Sequence, residues 1–188
     1  STENFLTALN NRVNSSALTA GGLTLLNLTD ENSRPYSLNQ IFERMNIAPP
    51  NGFLENLNSN EWIIAAYGQK ESFNSNGLLT FNETPKPKIV LIAKAFDLIL
   101  LRSTLNNWES AMAGDLKNLF SLDSKKVTSE TFLDNIYNGT DIRYRNFPFA
   151  DSTIDYAVVN LTKFNADYFI LAGSREGIYS GIDLLKAQ

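Results

Sequence analysis

The chain has 188 residues, 43% hydrophobic and 19% charged, with 16 Lys and Arg against 20 Asp and Glu and a net charge of -4. That is chain enough for one domain with a core, and its acidic balance removes the general attraction that nucleic acid or an anionic lipid surface requires. Histidine and cysteine are absent, which excludes thiol nucleophiles, imidazole bases, disulfides and His- or Cys-ligated zinc or haem sites.

Residues 1–20 are polar and rich in Asn and Ser, and read as a linker or lead-in segment that partly docks; Phe5, Leu6 and Leu9 mark a short helix within it. The start at Ser1, without Met, suggests a processed product or fragment whose upstream segment is missing. A single domain is expected over residues 21–188, opening at Gly21-Gly22. Residues 23–30 (LTLLNLTD) have the length and apolar density of a strand. Ser37 and Gln40 form a capping box for a helix through Ile41, Phe42 and Met45, which Pro49-Pro50-Asn51-Gly52 stops. A helical turn is expected over residues 53–57.

Residues 61–67 (EWIIAAY) read as a buried strand, and residues 88–95 (KIVLIAKA) as the strongest strand of the chain, paired antiparallel with it. Between them residues 68–85 read as a polar loop with its tightest turn at Asn76-Gly77, and residues 78–81 are placed to extend the hairpin. From Phe96 to Phe120 the period becomes helical: Leu98, Leu101, Leu105, Trp108, Met112, Leu116 and Leu119 form one stripe, read as core packing against a sheet. Gly114 weakens the last turns by about 1 kcal/mol relative to Ala and marks a kink or break. The longest near-apolar stretch, residues 89–101, is broken by Lys94 and Asp97 and falls short of the ~20 residues a bilayer span needs.

A short helix is expected from Thr128 or Ser129 to Tyr137, ended by Asn138-Gly139. Three strands follow, over residues 141–147, 156–160 and 168–172, and Ser174 caps a last helix to about Lys186. Gly173, Gly177 and Gly181 recur every fourth residue and imply close approach of that helix to a neighbour. The fold class is α+β: an antiparallel or mixed sheet with helices packed on one face. The element order suggests a loose two-half, βαββα-like organisation.

The chemistry is sparse. No serine has a lysine three residues on, and no Gly-x-Ser-x-Gly occurs, so nucleophilic serine catalysis has no base or elbow. Glu109 and Asp115 lie about 600° apart around one helix, and Asp151 and Asp155 meet only if their loop curls; neither makes a glycosidase pair readily. Oxygen-only cation sites lack EF-hand spacing. The Gly173-Ser174 junction, with Arg175 at its mouth, fits ordinary capping better than an anion site. Five Asn-x-Ser/Thr sequons, at Asn14, Asn27, Asn82, Asn138 and Asn160, are about what an Asn-rich composition gives by chance. No catalytic, cofactor-binding or metal-ligating residue is assigned. Arg143, Tyr144, Arg145 and Phe147, with Arg175, form the one basic and aromatic cluster and are the candidate interaction surface, read as structural pairing or protein binding rather than nucleic-acid binding.

One resemblance rests on quoted residues. Trp108-Glu109-x-x-Met112-x-x-Asp115-Leu116 after the strand IVLIAKAFD, then Asp141-Ile-Arg143-Tyr, Tyr156-Ala-Val-Val and Tyr168-Phe-Ile-Leu-Ala-Gly-Ser174, resemble uncharacterised extracytoplasmic domains of predicted single-span membrane proteins from uncultivated small-genome bacteria. The likeness covers about residues 20–186. It implies a membrane-tethered domain at the cell surface, anchored by a segment outside this chain, and supplies no catalytic residues. The functional expectation is a non-enzymatic binding or assembly module with a protein partner or self-association and no cofactor. The alternatives are a carboxylate-based glycan or cell-wall hydrolase, and a soluble protein-binding scaffold using residues 68–86 and 141–147.

Overall fold

A computed structural model describes residues 2–188. Seven strands form one antiparallel sheet: β1 (Leu23–Leu25), β2 (Leu57–Phe73), β3 (Leu79–Ala95), β4 (Leu133–Tyr137), β5 (Thr140–Asn146), β6 (Thr153–Leu161) and β7 (Ala166–Ala172), in the order β1-β2-β3-β7-β6-β5-β4. Two meanders are thus joined along β3 and β7. The α+β class and the antiparallel sheet agree with the sequence reading, as does the central hairpin, in which Ile63 faces Ile92 and Tyr67 faces Lys88.

Side chains alternate across this sheet. Ile64, Ala66, Leu91, Ala93, Tyr156, Phe169 and Leu171 point to one face, while Val90, Ile92, Ala157, Val159, Ile170 and Ala172 point to the other. Both faces are covered over β3 and β7, which is why residues 89–93 read as an unbroken apolar run.

The first face carries α1 (Thr2–Ser15), α2 (Leu38–Arg44), α3 (Leu98–Asp115) and α4 (Lys117–Phe120). Six of the seven stripe residues are buried, Trp108 and Met112 among them, and Leu98 packs half-buried against the same core. Phe53 is the hub of an aromatic cluster, with ring centroids 4.9 Å from Trp108, 5.3 Å from Phe169 and 6.0 Å from Phe42. The α3 helix ends at Leu116, just beyond Gly114, and α4 continues the stripe with Leu119. The Ser37 capping box forms as the sequence implies.

The second face carries α5 (Arg175–Lys186), which corrects the expectation that all helices share one face. Its apolar positions Ile178, Ile182 and Leu185 are buried against the sheet. The glycine ridge explains the packing: a Cβ on Gly177 would stand 3.2 Å from Val90, and one on Gly181 would stand 3.1 Å from Ile170. Neighbouring strands β3 and β7 each feed a helix, as the two-half reading anticipates. The helices go to opposite faces, however, and the second half has four strands.

Four local expectations also change. Residues 1–20, expected as a partly docked linker or lead-in with a short helix, contain the longer, 14-residue α1, docked through buried Phe5, Leu9 and Val13. The strand over residues 23–30 shortens to β1. Residues 68–85 are an arm of the β2–β3 hairpin, continuing past a register shift between Gln69 and Glu71, with Asn74 accepting at the tip from the amides of Asn76 and Leu78. The expected helix before Asn138 is strand β4. Asn138 and Gly139 have φ of 46° and 69°, the left-handed pair of a two-residue hairpin turn, so the dipeptide joins β4 to β5 and closes no helix.

The last strand, β4, is a free edge. In a two-residue hairpin Tyr137 pairs with Thr140, so Ile136 directs its amide outward; that N–H donates to the Asn135 side chain at 2.9 Å. Among the described residues no helix is long and apolar enough to cross a membrane.

Candidate functional site

Three polar regions differ in how their groups are used. In the first, α3 presents Glu109 to β5 and β6. The Arg143 guanidinium donates through Nε and Nη2 to the two oxygens of Glu109, at 2.7 Å each, and through Nη1 to Asp134 at 2.9 Å. The Tyr156 hydroxyl donates to Glu109 at 2.6 Å. Burial, with the adjacent Glu109 carboxylate, pushes the Tyr156 phenol well up, and the hydrogen bond to Glu109 raises Arg143 further. On the same helix the Trp108 indole donates to Asp115 at 2.7 Å. These bonds tie α3 to the β5–β6 pair. Trp108 holds Asp115, Met112 lies in the core, and Glu109 ties α3 to Arg143 and Tyr156. A cavity of about 420 Å³ adjoins, bordered by Arg102, Asn106, Asp134 and Asp141.

The second region is the start of α5. Ser174 accepts from the Gly177 amide at 3.0 Å and donates to Gln69 at 2.8 Å. Glu176 accepts from the amides of Lys70 and Glu71, at 2.9 Å each, and Arg175 bonds Glu71 at 2.8 Å while lying over the Phe73 ring. Asp151 accepts from the Phe73 amide at 3.0 Å. These contacts fasten the hairpin arm across the N-terminus of α5, where the sequence suggests ordinary capping. Burial, joined by the Glu176 charge, pushes the Tyr67 phenol up to about 12. Beside this network Asp155 is buried, and burial pushes its carboxyl up to about 7 against the opposing pull of the Arg175 charge. Asp155 Oδ1, Thr153 Oγ1 and Asn146 Oδ1 have no hydrogen-bond partner among the described residues. Asn146 faces Thr153 across the β5–β6 ladder, and Asp155 follows two residues along the same face.

The sequence-derived interaction residues do not share one surface. Arg143 and Arg145 lie on the first face of the sheet, where Arg145 donates to the Ser129 carbonyl at 2.8 Å. Phe147 is buried in the first core, Tyr144 packs against the second, and Arg175 belongs to the α5 start. Each guanidinium of the set is engaged with a protein acceptor. Neither suggested carboxylate pair is free: Asp115 is held by Trp108, and Asp151 is held by the arm while Asp155 is buried.

The third region has no motif in the sequence and lies along the β2 edge. The short β1 strand covers only Ala65–Tyr67 of the β2 edge. After the Leu26 amide bonds the Ile64 carbonyl at 2.9 Å, the chain leaves the sheet and returns through Tyr36, whose amide donates to the Leu28 carbonyl at 3.1 Å. Asp30 fixes the tip of this excursion by accepting from the amides of Asn32 and Arg34. Between excursion and strand lies a groove of about 520 Å³ whose lining contains no charged residue. The Asn27, Thr29, Ser59 and Asn60 side chains, the Tyr36 hydroxyl and the Trp62 indole N–H border it, and none makes a hydrogen bond within the described residues. Tyr36 is held by the edge of Phe5, with centroids 5.5 Å apart, and by the Arg44 guanidinium 5.0 Å from its ring centre. No protein-family model matches the chain, and no curated protein is significantly similar to it.

Proposed function

We propose that this protein is a non-enzymatic binding module, displayed outside the cytoplasm by a membrane-tethered protein, with the uncharged groove as its binding surface. The extracytoplasmic placement rests on the sequence resemblance. One observation supports the binding reading: Glu109, Asp134 and Arg143 beside the first cavity, and Glu71 and Arg175 at the α5 start, are bound to one another, whereas in the groove Ser37 and Gln40 are committed to the α2 capping box and the Asn27, Thr29, Tyr36, Ser59, Asn60 and Trp62 side chains make no hydrogen bond among the described residues. A carboxylate hydrolase needs one acid to hold a proton and a second to act as base or nucleophile. Glu109 and Asp134 instead share the single Arg143 guanidinium. The arm adds exposed Leu78, Leu79 and Phe81 as a second contact region for a protein partner.

Two measurements test the reading. Purified protein incubated with cell-wall polymer and neutral polysaccharides is expected to release no product, and the protein in its native cells is expected to sediment with membranes. Product release proportional to protein concentration, or recovery in the cytosol, would overturn it.

A further inference from the structure

We propose that the groove between β2 and the excursion over residues 27–36 binds a neutral oligosaccharide. The inference rests on the binding-module reading and adds the ligand's chemical class. Volume comes first: about 520 Å³ falls within the ~300–1,000 Å³ of small-ligand sites.

Charge narrows the class. An ionic ligand entering this groove would lose water without gaining a counter-charge from the lining, a desolvation cost nothing offsets. A purely apolar ligand would strip water from two side-chain amides, three hydroxyls and an indole N–H and return no hydrogen bond. A sugar supplies what both lack. Its hydroxyls donate and accept at once. The Asn27 and Asn60 amides each offer a donor and an acceptor side by side, and the Thr29, Ser59 and Tyr36 hydroxyls serve in either sense. The C–H faces of a pyranose suit aromatic and aliphatic walls, which Tyr36, Trp62 and Ile63 provide.

An added peptide strand is less well served. Beyond β1, the alternation set by the Leu26–Ile64 bond leaves Trp62 as the next β2 residue presenting its backbone to the free edge. One residue further pair along, the Asn60 amide already donates to Asn58 at 3.0 Å, and the β2–β3 ladder is irregular between Leu57 and Trp62. A docking strand would therefore find a very short edge to follow.

Tryptophan fluorescence reads the proposal directly. The chain has two tryptophans; Trp108 is 1% exposed in the core, whereas Trp62 borders the groove. Titration with cellotriose and with chitotriose, each neutral, is expected to give a saturable change for at least one sugar with Kd of ~1 mM or tighter. Asn27→Ala and Asn60→Ala, both at exposed positions, are expected to weaken that Kd by about tenfold each with the melting temperature unmoved. The sugar proposal is overturned if neither sugar saturates the signal. It is overturned equally if both Asn variants bind as the parent does, or if tri-galacturonate or a strand-forming hexapeptide binds in their place. The binding-module reading fails separately, if chromatography of the incubated sugar shows it cleaved.

Discussion

The two faces of the sheet are covered in opposite ways. On the first, four helices fill space with large side chains, and Trp108, Phe42, Phe53 and Phe169 interlock at ring distances of about 5–6 Å. On the second, one helix approaches so closely that two of its contact positions have no side chain at all. Filling by volume makes a face sensitive to loss of atoms. Filling by close approach makes it sensitive to their addition. The polar residues follow the same division. The first face keeps a half-exposed, mutually bonded ion network, whereas the second encloses a carboxyl with an unpartnered oxygen.

Four substitutions sharpen or break this contrast. Trp108→Ala removes the largest buried ring and is expected to cost about 3–5 kcal/mol by chemical denaturation; a loss under about 1 kcal/mol would mean the first face is not held by volume. Asp155→Asn tests the second face through pH. Its folded carboxyl titrates near 7, raised by burial from an unfolded value of 3.8. The protonated group's contribution is thus complete below pH ~4 and is lost as pH climbs through ~7. Relative to the parent, the Asn variant is expected to gain on the order of 3 kcal/mol at most between pH 5 and pH 9. A constant difference over that range would show that Asp155 does not titrate there.

Gly181→Val places carbon where 3.1 Å separates a Cβ from Ile170, and is expected to cost about 1–3 kcal/mol through overpacking. Unchanged stability would mean α5 can lift from the sheet freely. The smallest effect is expected from Glu109→Ala, about 1–2 kcal/mol, because Arg143 keeps Asp134 and is about one-third exposed. A loss as large as that of Trp108→Ala would make the network, not the rings, the tie between α3 and the sheet.

Where one signal dominated, the residues announced their structure. The spacing of Leu101, Leu105, Trp108 and Met112 permits one buried helical stripe, Ser37 with Gln40 starts α2, and the β-branched run before Lys94 finds its partner in residues 61–67. Asn138-Gly139 misled because the same left-handed backbone ends helices and turns hairpins; the preceding FLDNIY carries too little periodicity to decide. The arm shows only in part, through Leu79 and Phe81 in the stretch placed to extend the hairpin, because residues 68–72 and 82–86 carry no apolar alternation, and the layer of α5 is not legible because a glycine ridge states that something lies close without stating which face. The engagement of Arg143 by Glu109 depends on a contact 34 residues apart. The groove has no local signal in the sequence. It is assembled from residues 25–40 and 59–64, and its distinguishing property, a set of polar side chains without hydrogen bonds around an uncharged hollow, exists only in the folded chain.

The plugged amide of Ile136 bears on the free edge of the sheet. A sheet's last strand is ordinarily an invitation to the next molecule, because its outward amides and carbonyls have no partner of their own. By folding its own Asn135 side chain over that outward donor, β4 withholds one rung from any ladder a neighbouring strand could build on it.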